Sequence, residues 1–496
     1  MMDPKKLSEL QGMSPADLLK AMRENKANKK TLKVQNDYEQ FFADLWLEIF
    51  AEKNFDTQTD FFELGGTSLQ AVLMLSKIKE KYNVEFDLVD LFKSTTIENQ
   101  AKLIQEMLLN GPQERKEFNY QQDIELTNNI NLDGIKESTN KVEQILLTGV
   151  TGFLGIHLLK ELLKNPKLKV TCLVRAASAN EGINRVLLCA KKYHIKFDTK
   201  EIDRISCFCG DLDKDQLGLS VKEYTSLTHD IDLIIHSAAM VNFVYPYETL
   251  RQANVLSVYE LMKIASSIKI KPIHFISSIG IFNSLFTKKG IIINEDTPLP
   301  DEQPFSGYFQ TKLVAEKMCR EARKKGIPIS VYRPSGISIN TETQVSSDDD
   351  LTFVFLNICK KINAFPSIDS ITDIVPVNYV AQSVVHLALN YPTAQNDYHL
   401  ISGQKLHLNE LSGHLKSAIP AIVPYDDFFK KALQFTQNTD DIHLKNIQPL
   451  LVSGAFSQFR ADQISPIFQN KKTATLLNSI FKPNVKETFM LLVSKV

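Results

Sequence analysis

The run LLTGVTGFLGIHLLKELL, residues 146–163, decides how the rest of the chain is read. It places a short apolar run, a turn carrying Gly149, Gly152 and Gly155, and a helical apolar pattern in direct succession. A strand that turns sharply into a helix brings bare backbone N–H groups to the helix N-terminus, where they hold an anion such as a pyrophosphate. A side chain in that turn would keep the anion away. A glycine triplet by itself is weak, because any tight strand-to-helix turn uses glycine, but here both flanks carry the pattern the motif needs. Gly149, Thr151, Gly152, Phe153, Leu154 and Gly155 are the candidate phosphate-binding residues.

Outward from this turn, apolar runs alternate with helical stretches: QILLTG, KVTCLVR, RISCFCG, IDLIIHSAA, PIHFISS, ISVYRPS and DYHLISG. Strands alternating with helices imply parallel crossover units, hence a doubly wound α/β Rossmann domain, expected over residues 143–400. Beyond it the rhythm is lost. SGHLKSAI, DDFFKKALQFT and ATLLNSIF read as helices of a mainly helical subdomain over 401–496 that caps a substrate cleft. On the other side, residues 113–142 are polar and read as a linker running into the domain edge. Residues 34–112 show helical spacing in YEQFFADLWLEIF, SLQAVLMLSKIKEKY and TIENQAKLIQEML, the pattern of a small all-α bundle, expected to hold four helices. Residues 1–33 are Lys-rich, with Ser14 placed to cap a helix and Pro15 at its first position, and read as a docking helix or a frayed tail.

Bulk properties agree with a modular chain, since 496 residues exceed one core and suggest roughly three domains of about 150 residues. Lys plus Arg total 57 and Asp plus Glu 58, so there is no global field to attract nucleic acid or a membrane. The opening MMDPKKLSEL carries charge where a signal peptide needs an apolar run, and no stretch approaches the ~18 apolar residues of a spanning helix. A soluble, cytoplasmic protein is expected. The six cysteines form no CxxC pair and read as reduced core thiols, so no metal site is expected.

The second strand ends in CLVRA, where an NAD-preferring site offers a carboxylate to the ribose hydroxyls and this chain offers Arg175. A guanidinium grips a 2′-phosphate in a bidentate way, so NADPH is the expected cofactor. Arg185 either adds a second contact or is a solvated helix residue. Further on, SGYFQTKLVAEKM carries a YxxxK pair, Tyr308 and Lys312, whose four-residue spacing stacks both side chains on one helix face. An ammonium beside a phenol favours phenolate, so the tyrosine pKa is expected to fall and its OH to give a proton near neutral pH. A serine hydroxyl at a neighbouring strand end, from FISSIG, would hold the substrate carbonyl oxygen as hydride arrives.

These motifs in this order resemble the extended short-chain dehydrogenase/reductase superfamily. The resemblance implies that Asp211 and Leu212 of GDL flank the adenine, that Ala238 of HSAA lies under the cofactor, and that Asn254 is structural. It also implies that Ser278 rather than Ser277 is the catalytic hydroxyl beside Tyr308 and Lys312, that Lys312 also contacts the cofactor, and that YRPSG, 332–336, lies beside the nicotinamide.

One serine falls outside that set. Ser68 in FFELGGTSLQ has neither a base nor a strand-elbow-helix context to make it a nucleophile, so the alternatives are a helix cap and a tether. The segment DFFELGGTS resembles the acyl and peptidyl carrier proteins, which implies attachment of 4′-phosphopantetheine at Ser68 by a phosphopantetheinyl transferase. A carrier ahead of a reductase resembles the terminal thioester reductases of nonribosomal peptide and polyketide synthetases, the carboxylic acid reductases and the aminoadipate reductases. The implied reaction is NADPH-dependent release of a carrier-bound acyl or peptidyl thioester as an aldehyde, or on to an alcohol, through collapse of a hemithioacetal. With no adenylating domain read in the chain, the acyl group is expected to arrive in trans from an acyl ligase or upstream synthetase module that residues 1–30 help recruit. Two alternatives stay open: a reductase or epimerase of free small molecules, and non-redox release of the carrier-bound chain.

Overall fold

The computed structural model describes residues 33–50, 55–61, 64, 68–84, 86, 90–91, 94–110, 120–137, 141–243, 245–285, 290–304, 306–367, 371–404, 406–407, 421–439 and 466–495. The expected helix at Ser14, the Gly65–Gly66–Thr67 turn, SGHLKSAI and LLVSGAFSQFRADQ lie outside the described residues. The chain divides into two compact units, residues 1–116 and 117–496.

In the first unit, helices α1 (Asp37–Ile49), α2 (Ser68–Tyr82) and α3 (Ile97–Asn110) follow the three apolar periodicities, with residues 90–91 in a further helical stretch. At the start of α1 the Asn36 side chain accepts from the Glu39 N–H at 2.9 Å, and Glu39 Oε2 accepts from the Gln35 N–H at 2.7 Å. That exchange satisfies donors which the first helical turn leaves without intrahelical partners. The apolar faces close on a core of Phe42, Trp46, Phe50, Phe55, Phe61, Met74, Ile78, Ile97 and Ile104. A buried side-chain hydrogen bond crosses that core from Trp46 Nε1 to Gln100 Oε1, 3.1 Å.

In the second unit, seven parallel strands form one sheet: β1 (Gln144–Thr148), β2 (Lys169–Val174), β3 (Ile205–Cys209), β4 (Leu233–His236), β5 (Ile273–Ile276), β6 (Ile329–Pro334) and β7 (Asp397–Leu400). Each lies within one of the seven apolar runs. In this numbering the spatial order is β7-β6-β5-β4-β1-β2-β3, so the order reverses at β1, where β4 and β2 flank it. In doubly wound sheets such a reversal opens a crevice at the carboxyl ends of the strands. Both faces are covered, which is why the strands read as continuous apolar runs rather than alternating ones. Ile145, Leu147, Leu233 and Ile235 enter one core, with helices α4 (Phe153–Leu163) and Val377–Asn390. Leu146, Ile234, Ile273 and Phe275 enter the other, with α5 (Gly307–Lys325). Burial of side chains such as Ile156, Leu159 and Leu162 of α4 contributes about 1.5–3 kcal/mol each.

A third cluster forms the C-terminal lobe, in which Val354, Ile358, Phe365 and Ile374 pack with Phe428, Phe489 and Leu492. Its described elements include helices Leu351–Lys361, Tyr425–Asn438 and Val485–Val493. This lobe draws residues from both sides of the boundary expected at 400, because the chain leaves the sheet after β6 and returns for β7. Helix Lys471–Leu476, in turn, comes back to the sheet, where Thr473 Oγ1 accepts from the His399 N–H of β7 at 3.0 Å. The expected linker also belongs partly to the second unit: Asp123, in helix Tyr120–Glu125, is buried, pairs with Arg251 and accepts from the Tyr247 hydroxyl at 2.6 Å.

Candidate active site

The turn after β1 shows why glycine is needed there. Gly149 has φ +78°, and a Cβ on it would lie 2.7 Å from the Ala238 nitrogen. At Gly155 a Cβ would lie 2.0 Å from the Gly149 carbonyl oxygen, so α4 closes directly onto the turn. Gly152 is the residue before α4 and has no side chain to cap the helix, whose first N–H groups therefore remain available to an anion. The cradle is fixed from β4: Ala238 N–H donates to Thr148 Oγ1 at 3.2 Å, and Thr148 Oγ1 and His236 Nδ1 lie 2.7 Å apart. Burial, and next the Lys312 ammonium, push His236 down to about 3, so it stays neutral. These residues fit a dinucleotide phosphate, because glycine at 149 and 155 lets the turn close against the backbone just after β4 and against α4 with its N–H groups bare.

At the end of β2, Arg175 is exposed, and the Arg185 guanidinium donates to the Arg175 carbonyl. Arg185 is thus tied to the same loop. The GDL turn stands nearby: Asp211 N–H donates to the Leu217 carbonyl at 2.7 Å, Asp211 Oδ1 accepts from the Asp213 N–H at 3.2 Å, and Leu212 packs against the sheet core. Asp213 escaped the sequence reading. Burial and the Asp211 charge raise its pKa, and the Arg175 charge opposes them.

Across the crevice, α5 starts at the Ser306 cap and carries Tyr308 and Lys312 on its buried face. Lys312 Nζ donates to the Ile276 carbonyl at the end of β5, 2.7 Å, and lies 5.9 Å from the Tyr308 ring centroid. The expected fall of the tyrosine pKa is not what the structure shows. Burial raises Tyr308 above the ordinary phenol range, because desolvation outweighs an ammonium whose nearest partner is a backbone carbonyl. Lys312 itself is brought down to about 8 by burial. Tyr308 is therefore a protonated phenol near neutral pH.

The two serines of FISSIG part company at the strand end. Ser278 is half-buried, and its Oγ accepts from the Gly280 N–H at 3.1 Å. Ser277 is buried, its N–H donates to the Tyr332 carbonyl at 2.8 Å, and its Oγ has no partner among the described residues. Asn254, in a π-helical turn over Gln252–Leu256, accepts from the Met240 N–H at 2.7 Å and donates to the Met240 carbonyl and to Thr311 Oγ1, each at 3.1 Å. It ties the loop after β4 to α5 one residue before Lys312.

Behind the pair lies an ionic network that the sequence reading missed. Tyr332, Arg333 and Pro334 are the end of strand β6. Arg333 is fully buried, with two nitrogens on the Glu316 carboxylate at 2.6 and 3.1 Å and one on Asp397 at 2.7 Å. Burial alone would raise Asp397, but Arg333, Arg323 and Arg320 hold it down at about 2. Glu316 follows Lys312 by four residues, so Tyr308, Lys312 and Glu316 make one stripe along α5. That spacing was the available signal.

Residues 147–384 match the NAD-binding family described as "Male sterility protein", and residues 40–104 match that described as "Phosphopantetheine attachment site". The chain is 30% identical over 440 residues, 87% of its length, to a linear gramicidin synthase of Brevibacillus parabrevis, of which it covers 9%. It is 28% identical over 406 residues, 76% of its length, to the "L-2-aminoadipate reductase" of Schizosaccharomyces pombe, of which it covers 28%. The chain spans less than half the length of these curated relatives. Among solved structures, it resembles the terminal R domain from the myxalamid PKS-NRPS biosynthetic pathway with TM-score 0.69 and 29% identity, over 76% of this chain and 96% of that one. It resembles in fold a thiolation-reductase di-domain from an archaeal non-ribosomal peptide synthetase, with TM-score 0.65 and 22% identity, over 94% and 98% of the two chains.

Proposed function

We propose that this chain, which joins a phosphopantetheine-attachment segment to an NAD-binding reductase segment, releases an acyl or peptidyl thioester from its own carrier by reduction to an aldehyde. The observation that carries the reading is the convergence of the Gly149 turn, the Ser278 strand end and the Tyr308–Lys312 pair on one end of the sheet, in a chain whose α2 starts at Ser68. The tethered thioester is presented at high effective concentration, so Ser68 needs to be reachable and not activated.

When bound, the nicotinamide supplies hydride to the thioester carbon; the C–S bond breaks, and the products are an aldehyde and the carrier thiol. The chain's own residues do the rest. Ser278 Oγ donates a hydrogen bond to the carbonyl oxygen, and Tyr308 gives that oxygen its proton to form the hemithioacetal; as the C–S bond breaks the oxygen gives that proton up and the sulfur leaves as the thiol. Lys312, held by the Ile276 carbonyl, keeps a positive charge beside the tyrosine and reaches toward the ribose hydroxyls. Arg175 favours the 2′-phosphate of NADPH over the diol of NADH. The acyl group comes from a separate ligase or an upstream synthetase module, a reading supported by similarity to a gramicidin synthase and an aminoadipate reductase.

The test is intact mass after incubation with coenzyme A and a promiscuous phosphopantetheinyl transferase, followed by acyl loading and addition of NADPH. The expected result is one added phosphopantetheine and one aldehyde per NADPH consumed. A folded chain that gains no mass yet reduces free carbonyl compounds is a reductase of small molecules, and the proposal falls.

A further inference from the structure

Phe243, in the loop after β4, touches both the catalytic tyrosine and the C-terminal lobe. Its ring meets that of Tyr308 edge-on at 5.3 Å between centroids and 73° between planes, and it lies 5.5 Å from Phe309. Tyr308 and Phe309 are themselves 5.3 Å apart, so the three rings form a closed triangle. Phe309 occupies the space over Gly280, where a Cβ would lie 2.2 Å from the ring, two residues beyond Ser278. Phe243 also packs against the lobe core that contains Val354, Phe428 and Phe489.

Its loop is held tightly at both ends. Asn254 grips Met240 by both backbone groups, and Tyr245 N–H donates to Asn242 Oδ1 at 2.9 Å. The Tyr245 carbonyl oxygen stands 2.4 Å from where a Cβ on Gly307 would lie, so the loop presses on the first turn of α5. The Tyr308 ring is thereby oriented by an aromatic edge from a loop braced against the lobe, in addition to Lys312 on its own helix. Edge-to-face contacts of this kind have a preferred geometry, so they orient a ring as well as exclude water from it.

We propose that Phe243 is a positioning residue: it holds the Tyr308 phenol in its reacting orientation and couples that orientation to the packing of the C-terminal lobe. This rests on the reductase reading above. Small displacements of a proton donor cost rate rather than cofactor affinity.

The test uses the full chain with its carrier loaded from octanoyl- and phenylacetyl-coenzyme A as probes, and follows single-turnover NADPH oxidation. Phe243→Ala is expected to lower the rate of the chemical step about 10–100-fold and to leave NADPH affinity within about twofold, while Phe243→Tyr, which keeps the ring, restores most of the rate. In a Tyr308→Phe background, Phe243→Ala is expected to add less than about twofold, because both changes remove the same contribution. Losses that multiply, or an effect on NADPH affinity alone, overturn the proposal. Phe243→Leu replaces the alanine variant if that one fails to fold. A wild-type chain that binds NADPH but is silent with both probes instead overturns the reductase reading.

Discussion

In residues 1–116 the described core is mainly aromatic and aliphatic, with Trp46 ringed by Phe50, Phe55 and Phe61 and Gln100, Glu39 and Ser94 as its buried polar side chains, whereas residues 117–496 bury an ionic network of Arg333, Glu316 and Asp397, and Lys312 and His236, among their apolar side chains. On the proposed function, the contrast follows from what each unit has to do. A carrier presents one hydroxyl for modification, and a packed core is enough to hold the helix that begins with it. A reductase must place a proton donor, a cation and a phosphate cradle to within fractions of an ångström, and it does so with buried polar groups whose partners leave them few alternative positions.

If the division is correct, changes in the two units fail in different ways. The largest expected effect is Ser68→Ala, which abolishes both the added mass and the reduction of carrier-loaded acyl groups while NADPH still binds, as read by mass spectrometry and fluorescence titration. A mutant that keeps its turnover would place the tether elsewhere. Next is Tyr308→Phe, expected to slow reduction by about 10²–10⁴-fold with loading at Ser68 unchanged. Arg333→Met leaves Glu316 buried without its guanidinium and Asp397 with only Arg323 and Arg320, at a cost of about 3–5 kcal/mol. Calorimetry should show that loss in the transition of the second unit, with the first unit's transition in place; a shift of both would join units that the comparison separates. Arg175→Ala is expected to reduce the preference for NADPH over NADH about 10–100-fold, read from the ratio of kcat/KM values.

The smallest effect is a pH response. Lys312 is brought down to about 8 by burial, so its charge is present below that pH and lost above it. The kcat/KM for NADPH should fall as pH rises through about 8, and a Lys312→Arg chain, charged throughout, should lack that limb whatever its absolute rate. A profile unchanged by that substitution would assign the limb to another group.

Much of this was legible in the chain because the signals are local. Each of the seven strands lies within an apolar run, since strands covered on both faces leave a continuous imprint. The Gly149 turn, the Tyr308–Lys312 spacing and the α2 start at Ser68 depend on neighbours within a few residues. Arg333 was less legible, because its partners Glu316 and Asp397 are 17 and 64 residues away. The lobe boundary was blurred for a similar reason, because the chain leaves the sheet at β6, builds part of the lobe and comes back for β7.

What the sequence determined by itself was the order of modules, the glycine-rich strand-turn-helix after β1, and the places of Ser68 at a helix start and of Tyr308 and Lys312 on one helix face, all set by residue type and short periodicity. Only the tertiary structure decided how those groups behave. It raised Tyr308 where proximity to lysine predicted a fall, lowered Lys312, separated Ser277 from Ser278, and brought Phe243 against the phenol. Desolvation and ring packing depend on everything that surrounds a side chain, and most of those surroundings come from elements distant in the chain.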